Sequence, residues 1–278
     1  MQKSVAIIGA GGKMGARAAE KIGFSQNWQV LLCEKEEQKA AALRERGLTV
    51  TPVTEAASQA DFVVMAVPDA LIGSIARELV PQMKPGACLI MLDAAAAYIG
   101  ELPDRAGVTQ MITHPCHPPL FTEQSTPEAR RDYFGGIAEQ DIIVSLISGG
   151  EDVFREGAEL CRAIFAPVRR ALRVTPEQFA MLEPAMSEIV VAAAAKWMKD
   201  AMELGIEKGI PRDAAEAFMA GHVQIALAIV FGAEPSPFSD AAKLAIEWGT
   251  RRYINPAWRE VYERDVLTGA VREILRAS

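Results

Sequence analysis

Aromatic residues make up only 6% of the 278 residues, and cysteine occurs four times. So few aromatic faces argue against a platform on which nucleobases stack. Cys33, Cys88, Cys116 and Cys161 lie far apart, and none belongs to a C-x-x-C pair. They are too sparse for a disulfide scaffold, and Cys33 and Cys88 sit in apolar, strand-like runs. A reducing, cytoplasmic setting is the expectation. Positive charge is also in deficit, with 29 Lys and Arg against 36 Asp and Glu and a formal net charge of −7. No basic block offers the face that grips a phosphate backbone, so nucleic acid is excluded as a partner. Long apolar runs are missing as well. Residues 189–195 and 225–231 fall short of the roughly 20 that a membrane span needs. The run Val5-Ala6-Ile7-Ile8 is too short for a secretory signal and leads straight into glycines. A membrane is therefore not expected as a partner either.

Half of the residues are apolar and 23% are charged, which is enough to bury a sizeable core. The chain divides into two parts of different character. In the first, short apolar runs at 4–8, 29–33, 62–66, 88–92, 110–113 and 142–147 read as strands. Helical patterns at 14–22, 36–45, 71–79 and 153–165 alternate with them. Such alternation predicts β-α-β units and a doubly wound, parallel α/β sheet covered on both faces. After residue 173 no strand pattern is found. Thr175-Pro176-Glu177-Gln178 reads as a helix start, with Thr as N-cap, Pro in the first turn and Gln three residues on. Breaks at Gly209-Ile210-Pro211 and Pro235-Ser236-Pro237 separate further helices. The expected domains are a Rossmann-type dinucleotide-binding domain at 1–173 and an all-helical substrate and dimerisation domain at 174–278.

The strongest local signal is the passage from Val5-Ala6-Ile7-Ile8 into Gly9-Ala10-Gly11-Gly12-Lys13-Met14-Gly15. A strand runs into glycines and then into a helix. The glycines permit a tight turn and a close backbone approach to a pyrophosphate, and the helix start offers free N–H groups. Glu34 falls at the end of the second strand, where an acid accepts hydrogen bonds from the adenosine ribose. A carboxylate there repels a 2′-phosphate, so NAD is favoured over NADP, although Lys35 follows directly. Gly9, Gly11, Gly12, Lys13, Met14, Gly15 and Glu34 are the expected cofactor contacts. Pro68 and Asp69, after the 62–66 run, are placed to touch the cofactor ribose; Asp69 reads equally well as a helix N-cap. Asp93 holds the matching position one strand later.

Two of the three histidines fall in Thr113-His114-Pro115-Cys116-His117-Pro118-Pro119. This proline-stiffened segment follows a strand, where such folds keep catalytic groups. Histidine serves there as acid/base or as metal ligand. Glu183, with Ser187 four residues on, is either a cleft-facing acid or an ordinary helix charge. Gly221-His222 and Ser239-Asp240 fit caps as well as a cleft, and Arg251-Arg252 fit surface charge or a grip on a carboxylate.

Gly12-Lys13-Met14-Gly15, Val67-Pro68 and the helical second half resemble the 6-phosphogluconate and β-hydroxyacid dehydrogenase superfamily. The strings Thr113 to Phe121, Leu182-Glu183-Pro184-Ala185-Met186-Ser187-Glu188 and Pro237-Phe238-Ser239-Asp240-Ala241-Ala242-Lys243 are most similar to the D-apionate oxidoisomerase family. That resemblance implies NAD-linked oxidation of a branched sugar acid coupled to a carbon-skeleton rearrangement, giving 3-oxo-isoapionate. The superfamily's Lys and Asn are absent here, because Glu183-Pro184 and Ser187 stand at those places. A Glu there implies a metal ligand or a different base. His114, His117 and Glu183 are the expected catalytic set and a nitrogen/oxygen ligand set for zinc or magnesium, which would clamp two substrate oxygens. The rival expectation is a simple β-hydroxyacid or prephenate-type dehydrogenase without rearrangement. The Ala- and Met-rich helix predicts a homodimer.

Overall fold

The computed structural model describes residues 2–23 and 27–277. Seven strands form one sheet in the order β2-β1-β3-β4-β5-β6-β7. They are β1 (Lys3–Ile8), β2 (Trp28–Cys33), β3 (Phe62–Met65), β4 (Cys88–Met91), β5 (Thr109–Pro115), β6 (Gln140–Ser148) and β7 (Val168–Arg173). Helices α1 (Lys13–Gly23), α2 (Glu37–Glu45), α3 (Val53–Gln59), α4 (Asp69–Leu79), α5 (Ala95–Tyr98) and α6 (Glu151–Ile164) join them. Every residue of β3 and β4 is buried, as expected of strands with both faces covered. On α6 the buried Phe154, Gly157, Leu160, Cys161 and Ile164 recur at spacings of three and four, so one stripe faces the sheet. Ile7, Ile22, Phe62, Ile90 and Phe165 belong to the same core.

The sheet is parallel as expected except at one pair of strands. β6 runs antiparallel to β5, pairing His114 with Ile143 and Pro115 with Ile142, and β7 then runs parallel to β6. The reason is the connection. No crossover helix follows β5; a long loop from Cys116 to Glu139 turns the chain back at the same sheet edge, and only antiparallel pairing is then open. The strand β7 was not anticipated.

By compactness the chain divides into two units, Met1–Ala180 with Thr268–Ser278, and Met181–Leu267. This division differs from the expected 1–173 and 174–278. The capping box of α7 (Pro176–Ala180) lies in the first unit, with Gln178 N–H donating to Thr175 Oγ1 and Thr175 N–H to Gln178 Oε1. At the far end, α11 (Arg264–Ala277) passes from the second unit into the first at Thr268.

The second unit begins with a π-helical stretch, Met181–Ala192, which runs directly into α8 (Ala193–Glu207). Pro184 lies inside it. Its missing N–H and its ring disrupt the ordinary i→i−4 ladder, and widening to i→i+5 relieves the clash. α9 (Arg212–Val230) and α10 (Asp240–Tyr253) follow. Ser239 caps α10 by accepting the Ala242 N–H at 3.2 Å. α9 is long and apolar enough, by length and composition alone, to cross a membrane, with a mean hydropathy of 1.3. His222 and Gln224 interrupt its apolar residues, so the longest unbroken apolar run there is only residues 225–231.

Candidate cofactor and active site

In the first unit the sheet reverses its winding between β1 and β3, and the glycine turn sits at their carboxyl ends. This is the switch point where open α/β sheets bind ligands. The turn is folded by close backbone approaches that only glycine allows. Gly9 has φ +83°, and a Cβ there would lie 2.4 Å from the Ala66 carbonyl oxygen. A Cβ on Gly15 would lie 2.1 Å from the Gly9 carbonyl oxygen. The N–H groups of Gly9 and Ala10 both donate to the Cys33 carbonyl, at 2.9 and 3.0 Å, and the Gly12 N–H donates to Gly9 at 3.0 Å. The turn is thus tied to the end of β2, and α1 begins at Lys13 with its first N–H groups offered to an anion.

Glu34 has a defined local duty. One carboxylate oxygen accepts the Gly11 N–H at 2.9 Å, and the other accepts the Glu36 N–H at 3.0 Å. Each oxygen retains a lone pair for a ribose hydroxyl. Gly11 is small for a reason: a Cβ there would meet Glu34 Oε2 at 2.9 Å and Lys39 Cβ at 2.6 Å. Met14 packs on the core. Lys13 is exposed, with its Nζ 3.7 Å from the centroid of the Phe134 ring.

At the end of β3, Pro68 is exposed and occupies the position before α4, so Asp69 lies in the first turn rather than at the N-cap. Asp93, buried after β4, accepts the Ala95 N–H at 2.7 Å. His114 lies within β5 rather than in the loop beyond it, and His117 lies in the loop with φ +61°. The two rings are perpendicular, with centroids 6.0 Å apart. Each Nδ1 faces a carbonyl, His114 that of Pro115 at 2.8 Å and His117 that of Phe134 at 3.0 Å. A carbonyl can only accept, so both Nδ1 atoms carry a proton, and a neutral ring of this tautomer keeps its lone pair at Nε2. Burial, outweighing the Pro115 bond and the Asp93 charge, holds the His114 pKa below its ordinary 6.5, with His117 adding to the depression. His114 is therefore a neutral imidazole at neutral pH.

Cys116, between the two histidines, is exposed, and Cys33, Cys88 and Cys161 are buried; all four are free thiols. Among the described residues no three His, Cys, Asp or Glu side chains are gathered as a metal cage. The two histidines supply two nitrogen donors in the first unit.

Glu183 belongs to the second unit, in the π-helical stretch, and is buried at 8% relative exposure. Ser187 donates its hydroxyl to the Glu183 carbonyl at 2.6 Å. Lys196, the nearest following lysine, is exposed and paired with Asp200. His222 lies inside α9, stacked on Phe218 with ring centroids 3.8 Å apart, so it is not a helix cap. Arg251 and Arg252 are exposed on α10, and Arg252 lies 5.7 Å from the Trp248 ring.

Phe134, Asp132 and Arg17 surround this site but were not anticipated. The Asp132 to Gly136 segment ends in two glycines, and that turn chemistry was the one local signal available.

Residues 1–123 match the family described as acetohydroxy acid isomeroreductase, NADPH-binding domain. Residues 122–275 match phosphogluconate dehydrogenase (decarboxylating), C-terminal. A D-apionate oxidoisomerase of Cupriavidus necator is 40% identical over 276 residues, covering 99% of this chain and all of the relative. One from Rhizobium rhizogenes is 40% identical over 272 residues, 97% of this chain and 98% of the relative. A crystal structure described as a semialdehyde dehydrogenase NAD-binding protein from Cupriavidus necator, in complex with calcium and NAD, superposes with a TM-score of 0.94. It is 40% identical and covers 99% of this chain and 100% of that one. With a glycine turn at the sheet's switch point, an acid at the end of β2 and relatives matched end to end, the chain belongs to the D-apionate oxidoisomerase family, NAD-linked oxidoreductases with a Rossmann domain and a helical C-terminal part.

Proposed function

We propose that this protein is a D-apionate oxidoisomerase that oxidises its sugar acid with NAD and rearranges the carbon skeleton to 3-oxo-isoapionate. The observation that carries the reading is the pair of histidines, each with Nδ1 held by a backbone carbonyl, at the same sheet edge as the glycine turn. The glycine turn and the start of α1 hold the pyrophosphate, and Glu34 holds the adenosine ribose; Pro68 and Asp69 line the path toward the nicotinamide. When bound, NAD accepts the hydride from the carbinol carbon. His114 Nε2 takes the hydroxyl proton, and the Pro115 carbonyl, holding Nδ1–H, steadies the imidazolium that results.

The donors that the first unit would offer a divalent ion are His114 and His117 Nε2, and the Glu183 carboxylate is the third ligand that the family resemblance implies. The calcium in the Cupriavidus structure supports a divalent ion, and the donor chemistry of the histidine pair supports the two nitrogen ligands. Such an ion would hold adjacent substrate oxygens and polarise the new ketone during migration. A lone pair serves one role at a time, so His114 as base and His114 as ligand are alternatives.

A homodimer is supported by the second unit's surface. α8 and α10 bury no residue, and Trp197, Leu204, Phe218, Phe231 and Trp248 are all more than half exposed. Free thiols at all four cysteines support the cytoplasm.

The test is NADH formation with D-apionate and a panel of sugar acids and β-hydroxyacids, with and without chelator, the product skeleton being read by NMR. Rearranged product supports the oxidoisomerase. A retained skeleton moves the protein to the simple dehydrogenase. Full activity after metal removal assigns His114 to proton transfer.

A further inference from the structure

The 116–139 loop does more than join two strands. Gln124 clamps its base, donating to the Glu139 carbonyl at 3.1 Å and accepting the Glu139 N–H at 2.9 Å. Within that clamp the Asp132 carboxylate accepts three backbone N–H groups, from Gly135 at 2.9 Å, Ile137 at 2.8 Å and Ala138 at 3.0 Å. These bonds fold residues 132–138 into a tight turn, in which Gly135 and Gly136 take φ of +91° and +130°. The turn presents Phe134 in two directions at once. Its ring lies under Lys13 Nζ at 3.7 Å, and its carbonyl accepts His117 Nδ1–H at 3.0 Å.

The turn is also fastened to α1. Lys21 Nζ donates to the Gly136 carbonyl at 2.7 Å. The Arg17 guanidinium lies 5.3 Å from the Phe134 ring, and its Nε and Nη2 have no hydrogen-bond partner among the described residues. Arg17 and Asp132 attract each other. His117 sits in the left-handed region, with φ +61°, and such strain in a non-glycine residue persists only where the surroundings dictate it.

We infer that Asp132 is a positioning residue that couples the cofactor turn to the active-site histidine: its carboxylate folds the loop that sets Phe134 between Lys13 and His117. The inference rests on the functional reading for its substrate, but not for its geometry. Without the Asp132 acceptor the turn opens, Phe134 withdraws its carbonyl, and His117 is free to move its proton to Nε2. The lone pair then leaves the side where the reading needs it. Lys13, beside the pyrophosphate turn, loses its aromatic partner in the same event.

The experiment compares Asp132→Ala and Asp132→Asn with the parent in the full chain. Long-range proton–nitrogen NMR reads the tautomer of each of the three histidines. In the parent, the carbonyl contacts predict a proton on Nδ1 of both His114 and His117. In Asp132→Ala, His117 is expected to move toward the Nε2–H form, while His114, held by Pro115, and His222, in α9, stay unchanged. For the sugar acid kcat falls roughly 10- to 100-fold, the range for losing a group that orients a functional histidine. The KM for NAD rises about two- to fivefold, the worth of an exposed cation–π contact. Asp132→Asn keeps one oxygen acceptor and recovers part of each effect. An unchanged His117 in Asp132→Ala overturns the inference. If that variant does not fold, Asp132→Asn decides, and movement of all three histidines together, or of none, overturns it. A parent that fails to turn over any sugar acid refutes the functional reading and leaves the tautomer result standing on its own.

Discussion

The glycine turn can be tested within one molecule, because three glycines pose different steric problems. Gly47 has φ +76° and open space where a Cβ would go, so Gly47→Ala meets only the left-handed backbone penalty. That is about 1–2 kcal/mol. For a unit of this size it lowers Tm by roughly 2–8 °C, and NAD affinity should not change. Gly15→Ala is the opposite case. Its φ is ordinary, but the new methyl lies 2.1 Å from the Gly9 carbonyl oxygen and 2.8 Å from Ala10 Cα. Both are backbone atoms, so the turn must open by about an ångström, and overpacking of this kind costs about 1–3 kcal/mol. On the proposed cofactor placement, opening the turn also misdirects the N–H groups meant for the pyrophosphate, so NAD binding should weaken at least tenfold, which is about 1.4 kcal/mol. Gly12→Ala falls between, its methyl 3.3 Å from the Gly9 carbonyl oxygen. Calorimetric titration with NAD and thermal melts on the three variants give the order. If Gly15→Ala binds NAD like the parent while its Tm falls, the turn is only a structural bend and the cofactor reading is refuted.

Glu34→Gln removes the charge that repels a 2′-phosphate and keeps an acceptor for Gly11; the kcat/KM ratio for NAD over NADP should fall several-fold, measured with both cofactors. His114→Asn should leave NAD titration unchanged and lower turnover by roughly 10²–10⁴, and the acid limb of the parent rate profile should lie below pH 6.5, because burial favours the neutral base. Arg170, with Arg169, holds the Asp141 carboxyl below its ordinary 3.8. A depressed carboxylate contributes stability above its unfolded pKa and loses it as pH falls through the folded one. The parent should therefore lose stability below about pH 4 more steeply than Asp141→Asn, and the variant should be weaker at pH 7 by about 1–3 kcal/mol in urea unfolding.

The six strands that the sequence announces are those whose apolar residues run together, as in Val63-Val64-Met65 or Leu89-Ile90-Met91. β7 escaped because it is an edge strand. Its sequence alternates Val168 and Ala171 with Arg169, Arg170 and Arg173, and charges of this kind both disguise an edge and protect it from pairing with another chain. The reversal of β6 was hidden for a different reason. Its apolar residues, Ile142-Ile143-Val144 and Leu146-Ile147 either side of Ser145, read the same whichever way it points, and direction is decided by the loop before it. The glycine turn and Glu34 were legible since their chemistry is local: a tight turn needs small residues at fixed spacing. The surroundings of His117 were not. Phe134 is 17 residues away and Arg17 a hundred, and nothing in either segment names its partner. The π-helical stretch has a visible cause in Pro184, yet a proline inside a helical pattern is as readily read as a kink or an ending.

The passage of α11 back into the first unit bears on how the protein is made. The cofactor-binding unit takes its last segment, Thr268–Ser278, from beyond the whole of the helical unit, and Val271 within that segment is fully buried. A ribosome that has synthesised residues 1–180 has not yet supplied everything the unit needs, and will not until some ninety further residues have emerged. Domains that complete themselves during synthesis need no such wait. Here the nucleotide-binding half must stay unfinished, its Val271 site open, while the second half is translated. A nascent chain stalled before Thr268 is accordingly the species that chaperones and proteases would meet.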